Sequence, residues 1–544
     1  MGLFALLAFA AAVRLPGIFS APFWSDEYFS WLTATQPTFV QFFLRCTGVD
    51  VYPPLSYFPV WLIAKFSDAS WALRLPSALA GIACVWVAVR MLRRYVKEGY
   101  ALTLGAMIAL APLSVYLGWE SKAYNFFALM NLLMMDEALL LLENPARGTK
   151  RLALWVAGSM WSFFLSPYFI LSMLVAACWQ DGRRGAAFKK VLKGALTGML
   201  FALPLAPFFV KTLLLYAGSS AYNTALPLAP LYSFENFSAG FWMSPGHQFT
   251  SMLIFCVAAA AFFSGGRVAL AYEGKQRNPA PAALTKMLAS MAFLPPLLFL
   301  VVSAVGKPNY NDRAMLISAF AWILIGGLGA LCIHGPMRRI VLATLLLTEA
   351  TALIHYQIHA EARRIDYGLS WELVKSGWQE GDVVMHAYFE SGLPFQYYAA
   401  REVAAGQRKE PRPNYVHQKD LGFSSDAAAQ GIRGLWRRVN AWLGEHGMGV
   451  YAGTDPCFVD GPRLLEATQA AKRIWYVVAT EMAARKQMMP IPNGFRGGQP
   501  LGRSFNFADE GWMRGKWRFD REEGDQDVHV YLYVPEAGPA KKKK

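Results

Sequence analysis

The stretch AAAVRLPGIFSAPFWSDEYFSW, residues 10–31, runs from the end of an apolar segment into two adjacent carboxylates, Asp26 and Glu27. One interpretation is a helix start, because Ser25 or Asp26 can act as an N-cap and the helix dipole favours Glu27 in the first turn. The other is functional, since a carboxylate placed where a hydrophobic segment ends lies close to a lipid boundary. The surrounding residues are aromatic: Phe23, Trp24, Tyr28 and Trp31.

Composition indicates an integral membrane protein. The chain has 544 residues, of which 55% are hydrophobic and 16% are charged, and its mean hydropathy is +0.27. Soluble domains carry about 25% charged residues, so this chain is too apolar to be soluble along its whole length. A helical span needs about 20 apolar residues. The pattern predicts eleven spans, near 1–20, 72–92, 100–118, 124–142, 152–165, 168–179, 191–210, 249–266, 287–305, 314–333 and 340–357.

Basic residues cluster in every second loop. Lys and Arg total 52 against 37 Asp and Glu, a formal net charge of +15. Such a surplus can indicate nucleic-acid binding, but its distribution favours membrane topology, because loops rich in Lys and Arg face the cytoplasm. The pattern predicts a cytoplasmic N-terminus. It places the loops with Asp26, Glu120 and Asp312 on the opposite side, with everything after residue 358.

The chain is predicted to consist of a transmembrane domain at residues 1–358 and an extracytoplasmic soluble α/β domain at residues 359–544. In the second domain, segments rich in β-branched and aromatic residues predict strands at 381–388, 473–480 and 528–534. Residues 427–447 predict an amphipathic helix, and residues 412–426 a loop.

Charged and aromatic residues gather in the loops predicted to lie outside the cytoplasm. Taken singly, each has an ordinary explanation: Arg74 and Arg313 can extend to lipid headgroups, and Glu120 and Lys122 can cap helices. Taken together, they indicate a site for an anionic lipid-linked group and a polar acceptor. Besides Asp26 and Glu27, the residues concerned are Asp50, Tyr52, Arg74, Glu120, Lys122, Tyr124, Asn311, Asp312 and Arg313.

The order and spacing of these motifs resemble the GT-C superfamily of integral membrane glycosyltransferases. The most similar branch contains the protein O-mannosyltransferases and the lipid A aminoarabinose transferases. Three residues depart from the pattern of this branch: Tyr52 stands where a His is usual, Lys122 where an Arg is usual, and Ala314 where a Tyr is usual. The matching stretches are Arg14-Leu15, Asp26-Glu27, YPPLSY at 52–57, RLPSALAG at 74–81, ESKAY at 120–124, NDRAM at 311–315 and, more weakly, residues 371–399.

The resemblance implies an inverting transfer of a sugar from polyprenyl phosphate to a hydroxyl of a lipid, glycan or protein. Asp26 would be the general base. Glu27 would orient the acceptor or a loop, because neighbours i and i+1 do not share a helix face. Lys122 and Arg313, with Arg74 behind them, would neutralise the departing phosphate. The sugar and acceptor pocket would contain Asp50, Tyr52, Glu120, Tyr124, Asn311 and Asp312.

The resemblance further implies a multi-pass protein of the bacterial inner membrane, with its active site and C-terminal domain on the periplasmic side. The mechanism requires no metal or other cofactor, although a divalent ion is compatible with it. The donor sugar and the acceptor stay open. So do two other classes of function: a transporter or flippase of lipid-linked sugars, and a non-catalytic protein that binds them. Transporters tend to show inverted repeats and charges at the midplane, a pattern that this sequence lacks.

Overall fold

The computed structural model describes residues 2–48, 52–210, 229–240, 245–269, 280–305, 312–358, 366–386, 389–409, 414–417, 458–459, 471–479, 517–524 and 528–535. Its contacts divide the chain into two units. The first unit consists of Met1–Ser20 and Thr33–Ala362, and the second of Ala21–Leu32 and Arg363–Lys544. The stretch after the first apolar segment thus groups with the C-terminal part of the chain. The division into functional domains at residue 358 stays a prediction.

The first unit is helical. A helix that begins in the second unit, α2, ends in the first, and a short 3₁₀ turn, Asp312–Met315, precedes α15. In chain order the helices are α1 (Gly2–Ser20), α2 (Ser25–Ala34), α3 (Phe39–Gly48), α4 (Pro54–Ala64), α5 (Ser70–Leu92), α6 (Glu98–Leu110), α7 (Pro112–Gly118), α8 (Tyr124–Glu143), α9 (Lys150–Met160), α10 (Ser166–Asp181), α11 (Ala186–Phe201), α12 (Ala229–Ala239), α13 (Pro245–Ala269), α14 (Ala280–Val305), α15 (Leu316–Cys332) and α16 (Pro336–Ile358).

Among the described residues, six helices are long and apolar enough to cross a membrane, or up to eight if each of two bent pairs counts as one span. The predicted class, a multi-pass helical membrane protein, is confirmed. Three of the eleven predicted spans are not among these helices. The segments at 152–165 and 168–179 form α9 and α10, with 11 and 16 residues. The segment at 340–357 lies in α16, which carries Arg338, Arg339 and Glu349. The count of eleven therefore stays a prediction.

A buried arginine satisfies the backbone at the bend between α6 and α7. Pro112 has no N–H, so it cannot bond the carbonyl of Ile108, and the two helices meet at 54°. The guanidinium of Arg14, fully buried on α1, donates to the carbonyl of Ile108 at 3.3 Å and to that of Ala109 at 2.7 Å. It also donates to the hydroxyl of Ser114 at 3.2 Å. The bend is therefore stabilised by a residue almost a hundred positions away in sequence.

The central helix of the unit is α15. In its candidate span, Asp312–Cys332, 94% of an apolar stretch of 18 residues is buried, so this helix faces other helices rather than lipid. Gly329 explains part of this close packing, because a Cβ atom there would lie 1.8 Å from the carbonyl oxygen of Ala258 on α13. Small residues allow membrane helices to approach in this way.

Acidic residues in the second half of α8 pair with residues in the last turn of α5 and just after it. Asp136, almost fully buried, accepts from Arg90 and, at 2.5 Å, from Arg94. Glu143 lies 3.5 Å from Arg94 and accepts from the hydroxyl of Tyr95. The arginines from which the orientation of the chain is predicted thus also connect α5 to α8.

Among its described residues, the second unit contains a six-stranded mixed sheet and, besides most of α2, the helices α17 (Tyr367–Gly377) and α18 (Phe389–Ala404). The strand order is β3-β2-β1-β4-β6-β5. Strands β1, β2, β3 and β4 are parallel, whereas β6 pairs antiparallel with both β4 and β5. The strands are β1 (Asp382–His386), β2 (Asn414–His417), β3 (Phe458–Val459), β4 (Arg473–Ala479), β5 (Trp517–Gly524) and β6 (Val528–Pro535).

The three predicted strands are observed as β1, β4 and β6, and the predicted α/β class is confirmed. The predicted loop at 412–426 is wrong in part, because Asn414–His417 forms β2 and pairs with β1. Its Tyr-Val-His sequence has strand propensity, but four residues were too few to distinguish it from a loop. The predicted helix at 427–447 lies outside the described residues.

A buried ion pair and an apolar layer hold this unit together. Arg473 on β4 donates to Asp382 on β1 at 2.6 Å, and the indole of Trp475 donates to the same carboxylate at 2.8 Å. Side chains from both helices and three strands form the core: Tyr367, Trp371, Val374, Val384, Phe395, Ala399, Trp475, Val477, Val530 and Leu532.

His386 is a buried titratable group at the end of β1. Its Nδ1 lies 3.2 Å from the hydroxyl of Ser391, and its ring packs against Phe395. Its Nε2 has no hydrogen-bond partner within the described part of the chain. Burial lowers the pKa of His386 to about 3, from an ordinary value of 6.5.

Lowering the pH from 7 to 5 is expected to destabilise the second unit. The folded side chain of His386 stays neutral, whereas the unfolded one takes up a proton below about pH 6.5, which favours the unfolded state. The stabilisation is complete above pH 6.5 and falls as the pH drops towards 3. At 1.36 kcal/mol per pKa unit, the loss at pH 5 is about 2 kcal/mol. Hydrogen exchange of the β1 and β4 amides in the detergent-solubilised full chain, corrected for the intrinsic pH dependence, measures it.

The control is the variant His386→Gln, which has a similar polar side chain and cannot titrate. Its β1 and β4 amides should lose less protection between pH 7 and pH 5 than those of the wild type. An equal loss in both proteins would contradict the prediction and assign the pH dependence to other groups.

Candidate functional site

The acidic pair lies in the first turn of α2, in the second unit. A helix starts here as predicted, but neither Ser25 nor Asp26 is its N-cap, because α2 already includes Ser25 as its first residue. The backbone N–H groups of Glu27 and Tyr28 both donate to the carbonyl of Trp24, at 3.0 and 3.3 Å. The two carboxylates differ in environment: Glu27 is fully buried, whereas Asp26 is partly exposed. Asp26 is therefore the one of the two that a reactant can reach.

The turn between α7 and α8 is buried and carries charge. Glu120 is fully buried, and Lys122 is 7% exposed. The ammonium of Lys122 lies 5.0 Å from the centre of the Tyr52 ring and donates to the hydroxyl of Tyr57 at 3.5 Å. An aromatic face attracts a cation without cancelling its charge. Lys122 is thus held in place and remains a positive centre.

Tyr52 is itself fixed by its neighbours. Its hydroxyl lies 2.9 Å from that of Tyr124, the first residue of α8. Its ring stacks on Phe163 with 5.3 Å between centroids and meets Tyr57 edge-on at 5.7 Å. Tyr52 and Tyr124, both predicted for the sugar and acceptor pocket, therefore form one contact group with Lys122.

Arg313 forms a second group. It is 9% exposed, and its Nη1 lies 4.0 Å from the Glu120 carboxylate. Its Nη2 donates to the hydroxyl of Tyr116 at 3.4 Å, with the guanidinium carbon 5.6 Å from the ring centre. Tyr116 in turn meets Tyr356 of α16 edge-on at 5.5 Å. Glu120 and Lys122, two residues apart, connect this second group to the first.

Asp312 belongs to a hydrogen-bond chain with two side-chain amides. Its carboxylate accepts from Asn236 of α12 at 2.6 Å. The amide of Gln248 donates to Asn236 at 3.0 Å and to the carbonyl of Gly240 at 2.6 Å. This chain connects the start of the α15 span to α12 and α13, so Asp312 has an architectural contact in addition to its predicted place in the pocket.

Arg74, predicted to lie behind the phosphate-binding cations, is fully buried on α5. Its Nη1 donates to the carbonyl of Ile18, near the end of α1, at 3.0 Å. Two of the predicted site residues, Asp50 and Asn311, lie outside the described residues. The roles assigned to all of these side chains stay predictions.

The structure adds contacts that sequence reasoning did not assign. Tyr57 and Tyr116 hold the two cations, and Asn236 and Gln248 hold Asp312. Tyr57 is the last residue of YPPLSY, one of the stretches that carry the family resemblance, so its position was available as a signal. Asn236 and Gln248 lie in other helices, and nothing in a single sequence pairs them with Asp312.

The combined arrangement suits an anion. Two cations lie on tyrosine rings at the ends of helices long enough to span a membrane, and each also contacts a tyrosine hydroxyl. Buried cations bind phosphate oxygens strongly, because charge-assisted hydrogen bonds gain in a low-dielectric environment. Among the described residues, no three His, Cys, Asp or Glu side chains are grouped to hold a metal ion.

No protein-family model matches the chain, and no curated protein sequence matches it. Solved structures do. The chain is similar to ArnT from Cupriavidus metallidurans bound to undecaprenyl phosphate, with a TM-score of 0.51, 11% identity and 97% of each chain covered. The same protein in the apo state matches with a TM-score of 0.45, 13% identity and 97% of each chain. An oligosaccharyltransferase from Archaeoglobus fulgidus matches with a TM-score of 0.41 and 11% identity, over 98% of this chain and 73% of that one.

The similarity to ArnT covers almost the whole length of both chains. Together with the apolar helices, it shows that the two proteins share a fold, as the predicted resemblance implies. At 11% identity it carries no residue roles.

Proposed function

We propose that this protein transfers a sugar from a polyprenyl-phosphate donor to a hydroxyl acceptor on the extracytoplasmic side of the membrane. The observation that carries the proposal is the pair of buried cations, Lys122 and Arg313, each held on a tyrosine ring. The GT-C fold supports it, and so does the undecaprenyl phosphate bound to the ArnT structure that shares this fold.

The reaction divides into two tasks. The acceptor oxygen attacks the anomeric carbon and gives its proton to Asp26, while the bond from that carbon to the phosphate oxygen breaks with inversion. The departing lipid phosphate gains negative charge, which Lys122 and Arg313 neutralise, with Arg74 behind them. The buried Glu27 orients α2, and the hydroxyls of Tyr52 and Tyr124, together with Glu120, shape the sugar pocket.

Lys122 suits its proposed task because an ammonium has three N–H donors. One reaches Tyr57, and the ring of Tyr52 lies against the group. Lysine binds phosphate as a point charge, whereas arginine binds it with a planar, bidentate fork. The proposed site thus combines one cation of each kind.

Incubation of the purified protein with a labelled polyprenyl-phosphate sugar and a hydroxyl acceptor tests the function. Label that moves to the acceptor supports the proposal. Label that crosses a proteoliposome membrane without transfer would indicate the transporter, and binding without transfer or flux would indicate the non-catalytic binder. Mass spectrometry of envelope lipids from a deletion strain would identify the sugar and the acceptor.

The predicted orientation has a direct test. The clustering of basic residues in every second loop, with a count of eleven spans, predicts that residues 359–544 lie outside the cytoplasm. A reporter that is active only in the periplasm, fused after Ala540, should therefore give signal. A silent periplasmic reporter with an active cytoplasmic one would contradict this orientation and indicate that one predicted span, such as 152–165 or 168–179, does not cross.

Replacing either cation by glutamine is expected to weaken donor use about tenfold to a hundredfold. Each lost charge-assisted contact is worth about 1.5–3 kcal/mol, and 1.4 kcal/mol corresponds to a factor of ten. Lys122→Arg keeps the charge and should lose less than Lys122→Gln. Transfer rates at varied donor concentration measure the effect.

Two residues of the same chain serve as matched controls. Lys65 lies 4.6 Å from the Trp61 ring, and Arg338 donates to the Tyr100 hydroxyl at 3.1 Å with its guanidinium 5.9 Å from that ring. Lys65→Gln and Arg338→Gln each remove a positive charge that lies against an aromatic ring outside the candidate site. Both variants should leave the kinetics unchanged. Wild-type kinetics in both Lys122→Gln and Arg313→Gln would return these residues to a purely structural role.

Asp26→Asn is expected to lower the transfer rate by about 10²–10⁴, the usual contribution of a general base. Asp26 lies in the first turn of α2, where loss of a carboxylate's interaction with the helix dipole costs about 0.3–1 kcal/mol, so stability should change little. Donor binding should persist. Asp68→Asn, which alters a carboxylate just before α5, is the control. If Asp26→Asn keeps a rate within a few-fold of the wild type, the base lies elsewhere, and Glu27→Gln becomes the next variant to measure.

A further inference from the structure

The aromatic residues on both sides of Asp26 pack into the C-terminal unit. Trp24 contacts its main core, the layer that includes Trp371, Phe395 and Trp475. The Phe23 ring stacks on that of Tyr397 with 3.8 Å between centroids and 15° between planes. The core of the C-terminal unit thus includes side chains from the stretch that carries the proposed base.

Tyr28 adds a hydrogen bond to α18. It is 2% exposed, and its hydroxyl donates to Oε1 of Gln396 on α18 at 2.6 Å. Trp31 meets the Tyr397 ring edge-on at 5.6 Å. The hydroxyl of Tyr397 accepts from Arg401, one turn further along α18, at 3.0 Å. Two consecutive residues of α18, Gln396 and Tyr397, therefore hold three residues of the acidic stretch.

Helix geometry determines where Asp26 points. Positions 28 and 31 follow the spacing of one face of α2, so their side chains turn towards α18 together. Asp26 is offset by about 200° from Tyr28, at 100° per residue, and lies on the opposite face. This agrees with its partial exposure. Anchors two residues before and two residues after Asp26 thus fix the direction of its carboxylate.

The geometry points to Gln396, through its bond to Tyr28, as a positioning residue for the proposed general base Asp26. The C-terminal unit is then required for the chemical step, although Gln396 touches no reacting atom. This inference rests on the proposed function, because it assumes that Asp26 takes the acceptor proton. A base misplaced by about 1 Å can lose a hundredfold in rate.

The test is a set of variants measured for kcat, KM for the donor and melting temperature in the full-length protein. Tyr28→Phe and Gln396→Leu each remove the hydrogen bond and should lower kcat about tenfold, with KM little changed. The double variant should be no slower than the slower single one, because the two side chains act through one contact. Gln396→Glu keeps an acceptor oxygen for Tyr28 and should retain most of the activity. Tyr367→Phe, which alters a buried tyrosine of the same core, should react at the wild-type rate.

Combination with Asp26→Asn separates this inference from the proposed function. In that background, Tyr28→Phe and Gln396→Leu should cause no further loss, since the group that they position is already absent. A further tenfold loss there would overturn the positioning role. Wild-type kcat in Tyr28→Phe and Gln396→Leu, with a slow Asp26→Asn, would overturn the inference and leave the proposed base intact. A fast Asp26→Asn would instead overturn the proposed function.

Discussion

The first unit depends on one constraint: a backbone carbonyl that loses its helical partner inside lipid must accept a hydrogen bond from another donor. Pro112 frees such carbonyls where α6 gives way to α7, and Arg14 of α1 supplies the donors. Without this guanidinium, the bend would leave polar backbone groups buried and unsatisfied, at a cost of several kcal/mol each. The bend in turn directs α7, which carries Tyr116, into the short turn that carries Glu120 and Lys122. The candidate anion site thus depends on an arginine that takes no part in it.

The site also shows how a membrane protein keeps a buried cation available. A carboxylate within hydrogen-bond distance would neutralise Lys122 and remove the reason for an anion to bind. A tyrosine ring stabilises the ammonium through its quadrupole and leaves the net charge in place. Arg313 has both kinds of neighbour, an aromatic ring and a carboxylate, since it contacts the Tyr116 ring and lies 4.0 Å from Glu120. The two cations therefore differ in how much of their charge remains for a ligand.

Much of the fold followed from sequence, because long apolar runs and β-branched segments are local signals. The first apolar run became α1, and the three predicted strands became β1, β4 and β6. What the sequence left undetermined depends on contacts between distant residues. Nothing in the stretch 22–31 indicated that Phe23, Trp24 and Tyr28 would pack against residues near 396. Strand β2 was too short to be predicted from its sequence. The site residues were found as charged types in predicted outer loops, whereas the tyrosines that hold them entered only through the geometry.

The pairing of Arg90 and Arg94 with Asp136 has a consequence for how the chain inserts. Positive charges near a span determine its orientation during insertion, and acidic residues contribute little to that decision. After insertion, the same two arginines clamp α5 to α8 through a carboxylate that is only 1% exposed, where dissolved salt screens weakly. Under the predicted orientation, one set of side chains thus serves first as an orientation signal and afterwards as a clamp between helices. A substitution of Arg90 or Arg94 would then alter both properties together.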